Sequence, residues 1–246
     1  MTAEPLGHNF VRLAWVVLGV AALCGAAELI AGPGYRLSWW PLGVGIQIVR
    51  WGATIALGAA ALGLVATLMT ARRGPRKVAI ASLLLALVVA APPMLMYQRV
   101  QTLPKLHDIS TDTDHPPSFV AIVALRQGAS NPLEYRAANA AQQKRGYPDI
   151  APFTTRLPPS AALARAERTA RDLGWEVVDV SAPDLRLEAT DTSLLFGFKD
   201  DVVIRVTPLA EGSRIDLRSL SRVGGSDFGV NAKRIRKFLD RFAAAA

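Results

Sequence analysis

The sequence contains one cysteine, Cys24, which lies inside an apolar run. A single cysteine excludes an intramolecular disulfide and any metal site built from cysteines. Histidine is also scarce: His8, His107 and His115 are the only three, and neither an HExxH pair nor a Gly-x-Ser-x-Gly element accompanies them. We therefore predict no metal centre, no cofactor and no catalytic residue of these common kinds.

Acidic residues are almost missing from the first 99 positions, where only Glu4 and Glu28 face eight Lys or Arg residues. This region carries +6 of the formal net charge of +8, and residues 100–246 carry the remaining +2. A nucleic-acid surface needs cations clustered in the soluble part of a protein. The near balance of residues 100–246 therefore argues against a nucleic-acid partner.

Three apolar runs are long enough to cross a bilayer, which takes about 20 residues. They extend from about Phe10 to Ala31, from about Ile48 to Thr70 and from about Val78 to Tyr97. We predict a membrane domain of three transmembrane helices over residues 1–99, with the lipid bilayer as its partner. Residues 100–246 are predicted to form a soluble domain.

The orientation follows from four cations between the second and third runs, Arg72, Arg73, Arg76 and Lys77. The positive-inside rule places this loop in the cytoplasm. We therefore predict a multi-pass protein of the cell inner membrane, with a cytoplasmic amino terminus and a carboxy-terminal domain in the periplasm or otherwise outside the cytoplasm.

Two charged residues, Glu28 and Arg50, lie near the outer ends of the first and second runs. Such charges are costly unless they are paired or reach the headgroups. An ion pair between them, separate contacts with the interface and an ion pathway are all open interpretations. Small residues four positions apart, Ala21 with Gly25 and Ala59 with Gly63, predict close helix packing.

The soluble domain has the pattern of an α+β fold. Apolar and polar residues alternate in four runs, which predicts a roughly four-stranded antiparallel sheet with one covered face and one wet face. Two amphipathic helices are predicted to cover it, one capped by Ser160 and ended by Gly174, and one with an apolar stripe that begins at Phe228 and an exposed face that includes Arg234 and Arg236. The four runs lie near Trp175–Val180, Leu185–Thr190, Asp201–Thr207 and Arg214–Leu220, a further helix is predicted around Glu134–Lys144, and the last helix spans Phe228–Phe242.

The stretch RSLSRVGGSDFGVNAKRIR joins the last strand to the last helix. Gly224 and Gly229 have the spacing of P-loop glycines, but Val230 and Asn231 stand where Lys and Ser or Thr are needed. Asp227 fits a helix cap better than a phosphate site. The polar residues of this stretch are predicted to cluster at one end of the sheet: Arg218, Arg222, Asp227 and Asn231.

The segment DISTDTDHPP offers carboxylates at Asp108, Asp112 and Asp114. It lacks the central glycine and the distal glutamate of an EF-hand, so Asx turns are the main interpretation and a metal site is the alternative.

Residues from about Asp108 to Phe242 resemble the family called domain of unknown function 1499. The resemblance depends on DISTDTDHPPSF, YPDI, GW, FKDDVVIRV and DLRSLSRVGGSDFGVNAKRIRKFL. It implies the domain boundary but no reaction. The motif positions that it makes candidates for a shared binding site or polar scaffold are Asp112, Asp114, Tyr147, Asp149, Asp201, Arg205, Arg218, Ser221, Arg222, Asp227 and Asn231.

Three functions remain open at this stage. The first is a non-catalytic, membrane-anchored module that binds an envelope protein or a small ligand. The second is an envelope enzyme that acts on an anionic substrate, and the third is a small membrane carrier that uses Glu28 and Arg50. An open pocket of clustered acids favours the enzyme, a cavity around Glu28 favours the carrier, and an exposed apolar patch favours the binding module.

Overall fold

The computed structural model describes residues 6–70 and 73–244. The chain divides into two compact units, one of residues 1–101 with 195–197, and one of residues 102–194 with 198–246. The first unit contains the three long helices, and the second contains the mixed α+β part of the chain.

The first unit consists of α1 (Leu6–Arg36), α2 (Leu42–Met69) and α3 (Arg73–Thr102). Their apolar parts have mean hydropathies of 2.1, 1.9 and 2.4, so all three are long and apolar enough to cross a membrane. The three predicted membrane helices are confirmed. Of the loop cations used for orientation, Arg72 lies outside the described residues.

Small residues lie where these helices approach each other. Ala21 and Ala59 belong to one buried cluster. A Cβ atom added to Gly63 would come within 3.1 Å of Leu83 Cα, and one added to Gly25 within 3.0 Å of Val89 Cγ2. Larger side chains at these positions would push the helices apart.

The second unit contains a six-stranded antiparallel sheet. Its four longer strands are β3 (Glu176–Ser181), β4 (Arg186–Thr192), β5 (Lys199–Pro208) and β6 (Ser213–Ser221), and the two short ones are β1 (Asp108–Ser110) and β2 (Phe153–Thr155). The order is β1-β6-β5-β4-β3, and β2 also pairs with β6. The α+β class is confirmed, but the sheet has six strands instead of four because three-residue strands show no alternation.

The helices of this unit begin and end near their predicted positions, with three corrections. α5 (Pro159–Asp172) begins with Pro159 at its first position and has no side-chain cap, so Ser160 is not its cap. The predicted helix from Glu134 is shorter and consists of the 3-10 turn Ala137–Asn139 followed by α4 (Ala140–Gly146). α6 (Val230–Ala244) starts after Phe228, which is exposed and has a φ of 54°.

One face of the sheet packs against α5 and α6. Its core joins Leu187, Ile204 and Leu217 of the strands to Phe238 and Phe242 of α6. The rings of Trp175 and Phe238 are stacked with centroids 5.4 Å apart. We call this side of the sheet the helix face.

The opposite face was predicted to be wet, and that prediction is wrong. Residues 112–135, which we call the covering segment and which include the 3-10 helix Ala121–Leu125, lie over it. Phe119 and Ile122 of this segment form a buried cluster with Val203 and Leu220 of the sheet. The carboxylates of this covered face, Glu188, Asp201 and Asp216, are therefore removed from water along with the apolar residues.

Candidate functional site

The covered face contains alternating carboxylates and guanidinium groups. The side chains of Glu188, Asp201 and Asp216 have no exposed surface at all. Buried carboxylates are stable only when they are paired and hydrogen-bonded. Each of the three has arginine partners, which arrive from the strands, from the end of β6 and from the covering segment.

Asp201 is the centre of the first group of contacts. Its carboxylate accepts hydrogen bonds from Arg126 Nη1 at 2.5 Å and from Arg222 Nη2 at 2.8 Å. Thr190 Oγ1 donates a third bond at 2.8 Å. Arg222 also donates to the carbonyl of Leu125 at 2.8 Å. Asp201, together with Arg222, therefore ties the middle of the covering segment, at Leu125 and Arg126, to the sheet.

Arg218 forms the second group. Its guanidinium makes a two-pronged contact with Asp108, at 2.9 and 2.8 Å, and donates to the carbonyls of Pro117 and Leu133. The rings of Phe119 and Tyr135 lie on it, with centroids 5.2 and 5.4 Å from Cζ. Burial and the nearby Asp108 charge raise the pKa of Tyr135 to about 12. Arg218 thus holds the covering segment by both its charge and its flat faces.

Asp112 and Asp216 form the third group with Arg205 and Arg214. Arg214 Nη2 lies 2.6 Å from Asp112 Oδ2 and 3.0 Å from Asp216 Oδ1, and Arg205 Nη2 bridges the same two carboxylates at 3.2 and 3.0 Å. Asp112 Oδ1 accepts the backbone N–H of Asp114 at 3.1 Å, as in an Asx turn, and also that of His115 at 2.8 Å. Burial raises the pKa of Asp112, but the backbone hydrogen bonds and the Arg214 charge outweigh it and hold that pKa below its usual value.

Glu188 anchors the 3-10 helix of the covering segment. Its two carboxylate oxygens accept the backbone N–H groups of Val120, Ala121 and Ile122 at 2.8, 3.2 and 2.9 Å. The Arg186 guanidinium lies 2.9 Å away. The first turn of this short helix is thereby capped by a side chain from the sheet.

A second polar network lies on the helix face and is centred on Arg234 of α6. Arg234 donates to Asp191 at 2.8 Å, to Asp200 at 2.6 Å and to Asn231 Oδ1 at 2.5 Å. Ser221 Oγ and the carbonyl of His107 accept from the Asn231 amide. The sequence prediction placed Arg234 on the exposed side, and this is wrong because its position falls between the buried Asn231 and Phe238.

Asp227 lies at the start of α6. Its carboxylate accepts the backbone N–H of Gly229 at 2.9 Å and of Asn231 at 2.8 Å, which is a capping role. Burial raises its pKa, although both hydrogen bonds act in the opposite direction.

The sheet separates the four residues that were predicted to cluster. Arg218 and Arg222 contact the covering segment, whereas Asp227 and Asn231 lie on the helix face. No common pocket therefore joins the four among the described residues.

Of the remaining motif residues, Asp114 and Asp149 lie nearer the surface, whereas Tyr147 is buried. Asp114 forms an exposed ion pair with Lys144 at 3.3 Å, and Asp149 forms a two-pronged pair with Arg236 at 2.5 and 2.7 Å. The hydrogen bond from Arg236 lowers the pKa of Asp149. The Arg236 guanidinium also lies over the buried ring of Tyr147.

The two charges of the membrane helices do not meet. Within the described part of the chain, Arg50 forms no ion pair with Glu28, and Glu28 Oε1 is buried without a hydrogen-bond partner. The Glu28 carboxyl instead lies against α2, where a Cβ atom on Gly52 would come within 2.9 Å of Oε1.

The described residues contain no group of three or more His, Cys, Asp or Glu side chains arranged to hold a metal ion. Of the carboxylates in the Asp-rich segment, Asp108 and Asp112 are occupied by arginines.

The covering segment also presents an apolar surface. On its outer side Val120, Val123 and Leu125 are 55%, 47% and 50% exposed. We call these three residues the apolar patch. Since Glu188 and Arg222 form hydrogen bonds with the backbone beneath them, the patch has a fixed shape.

Three membrane-crossing helices and an arginine-clamped α+β domain define the class of this chain, a membrane protein with one mixed domain outside the spans. Residues 108–242, more than half of the chain, match the family described as "Protein of unknown function (DUF1499)". The chain belongs to this family. No curated protein matches it.

Proposed function

We propose that this chain is a non-catalytic, membrane-anchored envelope protein whose α+β domain binds a partner protein in the periplasm. The three apolar helices anchor it in the inner membrane. The observation that carries the proposal is the apolar patch of Val120, Val123 and Leu125, which is the feature expected of a binding surface.

The polar motif residues support this function by their positions. Asp112, Asp201 and Arg218 point inward and are hydrogen-bonded to arginines, aspartates and backbone carbonyls. A catalytic acid or base has to reach a substrate. These groups instead fasten the covering segment to the sheet, and they explain the shared motif as a clamp that holds the patch in place.

A rigid patch has a physical advantage for binding. Ordering a flexible loop on association costs about 0.5–1.5 kcal/mol for each immobilised side chain. Here Glu188 caps the 3-10 helix and Arg126 ties its end to Asp201. The backbone of the patch is therefore ordered when the domain folds, so its ordering does not reduce the affinity for a partner.

The test compares two double variants in the full chain. Val123→Asp with Leu125→Asp places two charges on the patch without touching any side-chain hydrogen bond. Leu209→Asp with Val230→Asp is the matched control, because these residues are 43% and 42% exposed and lie outside the patch. Each intact protein is captured from detergent-solubilised membranes, and co-purifying proteins are identified by mass spectrometry.

We expect the same partner with the natural chain and the control variant, and its loss with the patch variant. Recovery of that partner with the patch variant at an unchanged level would refute the assignment. Both variants are first required to match the natural chain in thermal unfolding, so that loss of binding is not loss of fold.

A further inference from the structure

Two sets of arginines in the second unit differ in how their charges are matched. Those on the two faces of the sheet are matched by carboxylates, as Asp201 is shared by Arg126 and Arg222, and Asp200 is bound to Arg234. A different situation holds on the outer side of α5 and α6. A cleft of about 390 Å³ there is lined by four arginines, which are Arg165, Arg168, Arg171 and Arg241, together with Asp172. We call it the arginine cleft.

Two of the four arginines have local partners. Arg171 pairs with Glu167 at 2.7 Å, and Arg241 pairs with Asp172 at 3.3 Å. Both also lie in the last turn of their helices, where a cation offsets the negative end of the helix dipole. Their charges are accounted for without any ligand.

Arg165 and Arg168 are different. No carboxylate of the described residues lies within 4.0 Å of either guanidinium. Arg165 is held in place by the buried ring of Phe242, whose centroid is 5.6 Å from its Cζ. Stacking fixes the plane of the guanidinium and leaves its N–H edge for a ligand. Counted over the described residues, the cleft therefore has a surplus of two cations, one of them pre-positioned.

We propose that the arginine cleft binds a doubly charged phosphate group, either as free phosphate or as a phosphate monoester. A monoester carries about −1.5 to −2 charges near pH 7, which matches the surplus of two. Arginine forks also fit the paired oxygens of phosphate better than a point charge does. A cleft of about 390 Å³ holds more than the phosphate group itself, so the organic part of the ligand has room inside it. The site is separate from the apolar patch, which is formed by other residues.

The ligand chemistry has two sources, a free phosphate and the headgroup of a lipid such as phosphatidic acid, and two experiments separate them. In the first, inorganic phosphate replaces chloride at constant ionic strength, and its binding to the full chain in phosphatidylcholine nanodiscs is followed by calorimetry. In the second, the full chain in the same nanodiscs is floated with phosphatidylcholine vesicles that contain phosphatidic acid, or phosphatidylglycerol as the diester control.

Each experiment uses a cleft variant and a matched control. Arg165→Gln with Arg168→Gln removes the two surplus cations, and Lys233→Gln with Lys237→Gln removes the same charge from exposed positions of α6 outside the cleft. We expect the cleft variant to weaken binding at least about tenfold, since each charged hydrogen bond is worth about tenfold in affinity. The control should change it by less than about twofold because remote surface charges are screened.

If the natural chain binds inorganic phosphate and the cleft variant does not, the proposal is supported and the ligand is a free phosphate. If the natural chain binds no inorganic phosphate but floats with vesicles that contain phosphatidic acid, and the cleft variant does not float, the proposal is supported and the ligand is a lipid headgroup. Equal losses in both variants, equal flotation with the diester lipid, or no binding in either experiment would overturn it. If removal of Arg165 disturbs folding, Arg168→Gln alone serves, because Arg168 is exposed and forms no ion pair with described residues. Failure here leaves the partner assignment untouched, because the apolar patch is intact in both variants.

Discussion

Asp201→Asn is the substitution that tests the clamp most directly. The change keeps the size of the side chain and removes its charge. Asp201 has no exposed surface, and its partners Arg126 and Arg222 are only 4% and 15% exposed. Two guanidinium groups would therefore stay buried beside a neutral amide.

Breaking a buried ion pair from one side costs about 3–5 kcal/mol, because the remaining charge is left uncompensated. The asparagine oxygen can still accept one hydrogen bond, so we expect a loss near the lower limit, about 3 kcal/mol. For a domain of this size, each kcal/mol lowers the melting temperature by about 2–4 °C. Arg222→Ala should cost less, since Asp201 keeps its bonds to Arg126 and Thr190.

The measurement uses urea and thermal unfolding of a fragment from Leu103 to Ala246. We predict that this fragment folds without the spans, because the sheet buries apolar groups against its own helices and covering segment. Circular dichroism of the natural fragment checks that first. Asp114→Asn is the matched control, since its carboxylate is 73% exposed and its pair with Lys144 contributes little.

A loss below about 1 kcal/mol for Asp201→Asn would refute the argument, because it would mean that water or other groups compensate the arginines. A triple variant gives a second check. Replacing Asp201 by Leu and both arginines by Met removes all three charges, and stability should recover toward the natural value.

Two further predictions concern the hydrogen bonds of Asp112 and Asp227, and a third concerns the orientation in the membrane. The pKa of Asp112 is lowered in the folded state, so its contribution to stability is complete above the unfolded-state pKa near 4 and is lost as the pH falls through the lower folded-state pKa. The stability difference between the natural fragment and Asp112→Asn should therefore shrink steadily below about pH 4. A constant difference would contradict this. Asp227→Ala should lower the stability of the fragment by about 1 kcal/mol, measured by urea unfolding, while Asp227→Asn should keep part of it because its oxygen still accepts an N–H bond. A reporter that is active only outside the cytoplasm, fused after Ala246, should be active if the domain is periplasmic. An inactive reporter would mean that the predicted orientation is wrong.

The strands that the sequence predicts are those with enough residues to show alternation. β3 to β6 are between six and ten residues long and were predicted within a few residues of their ends. β1 and β2 have three residues each, and both find their partner in β6, with Asp108 opposite Leu220 and Phe153 opposite Ile215. Such pairings join residues far apart in the chain, so no local pattern indicates them.

The prediction of a wet sheet face failed for a different reason than the missed short strands. Alternation reports the polarity of side chains, and polarity implies exposure only when no partner is available. Arg205 and Asp216 of neighbouring strands pair at 3.0 Å, and Asp112 and His115 of the covering segment accept further hydrogen bonds from Arg205. The covering segment itself has little regular structure, because proline-rich chain seldom forms helices or strands. Its location is therefore determined by the hydrogen bonds that hold it, and no local pattern in its sequence indicates them.

Arg234 and Arg236 of α6 give the last test of this reasoning, because the sequence treats them alike. The side chain of Arg234 is 6% exposed and is bound to both Asp191 and Asp200, whereas that of Arg236 is 40% exposed and is bound to Asp149. Both form short hydrogen bonds, so distance alone does not rank them. Burial does, since water screens the Arg236 pair and leaves the Arg234 pair unscreened.

We therefore expect Arg234→Ala to destabilise the fragment by about 3 kcal/mol or more, and Arg236→Ala by no more than about 1 kcal/mol. Urea unfolding of the two variants measures the difference, and added salt should reduce the effect of Arg236→Ala alone. Equal losses would mean that the number of contacts, and not their removal from water, decides the contribution of an arginine in this fold. The same result would then weaken the clamp assigned to Asp201, which depends on the same physical argument.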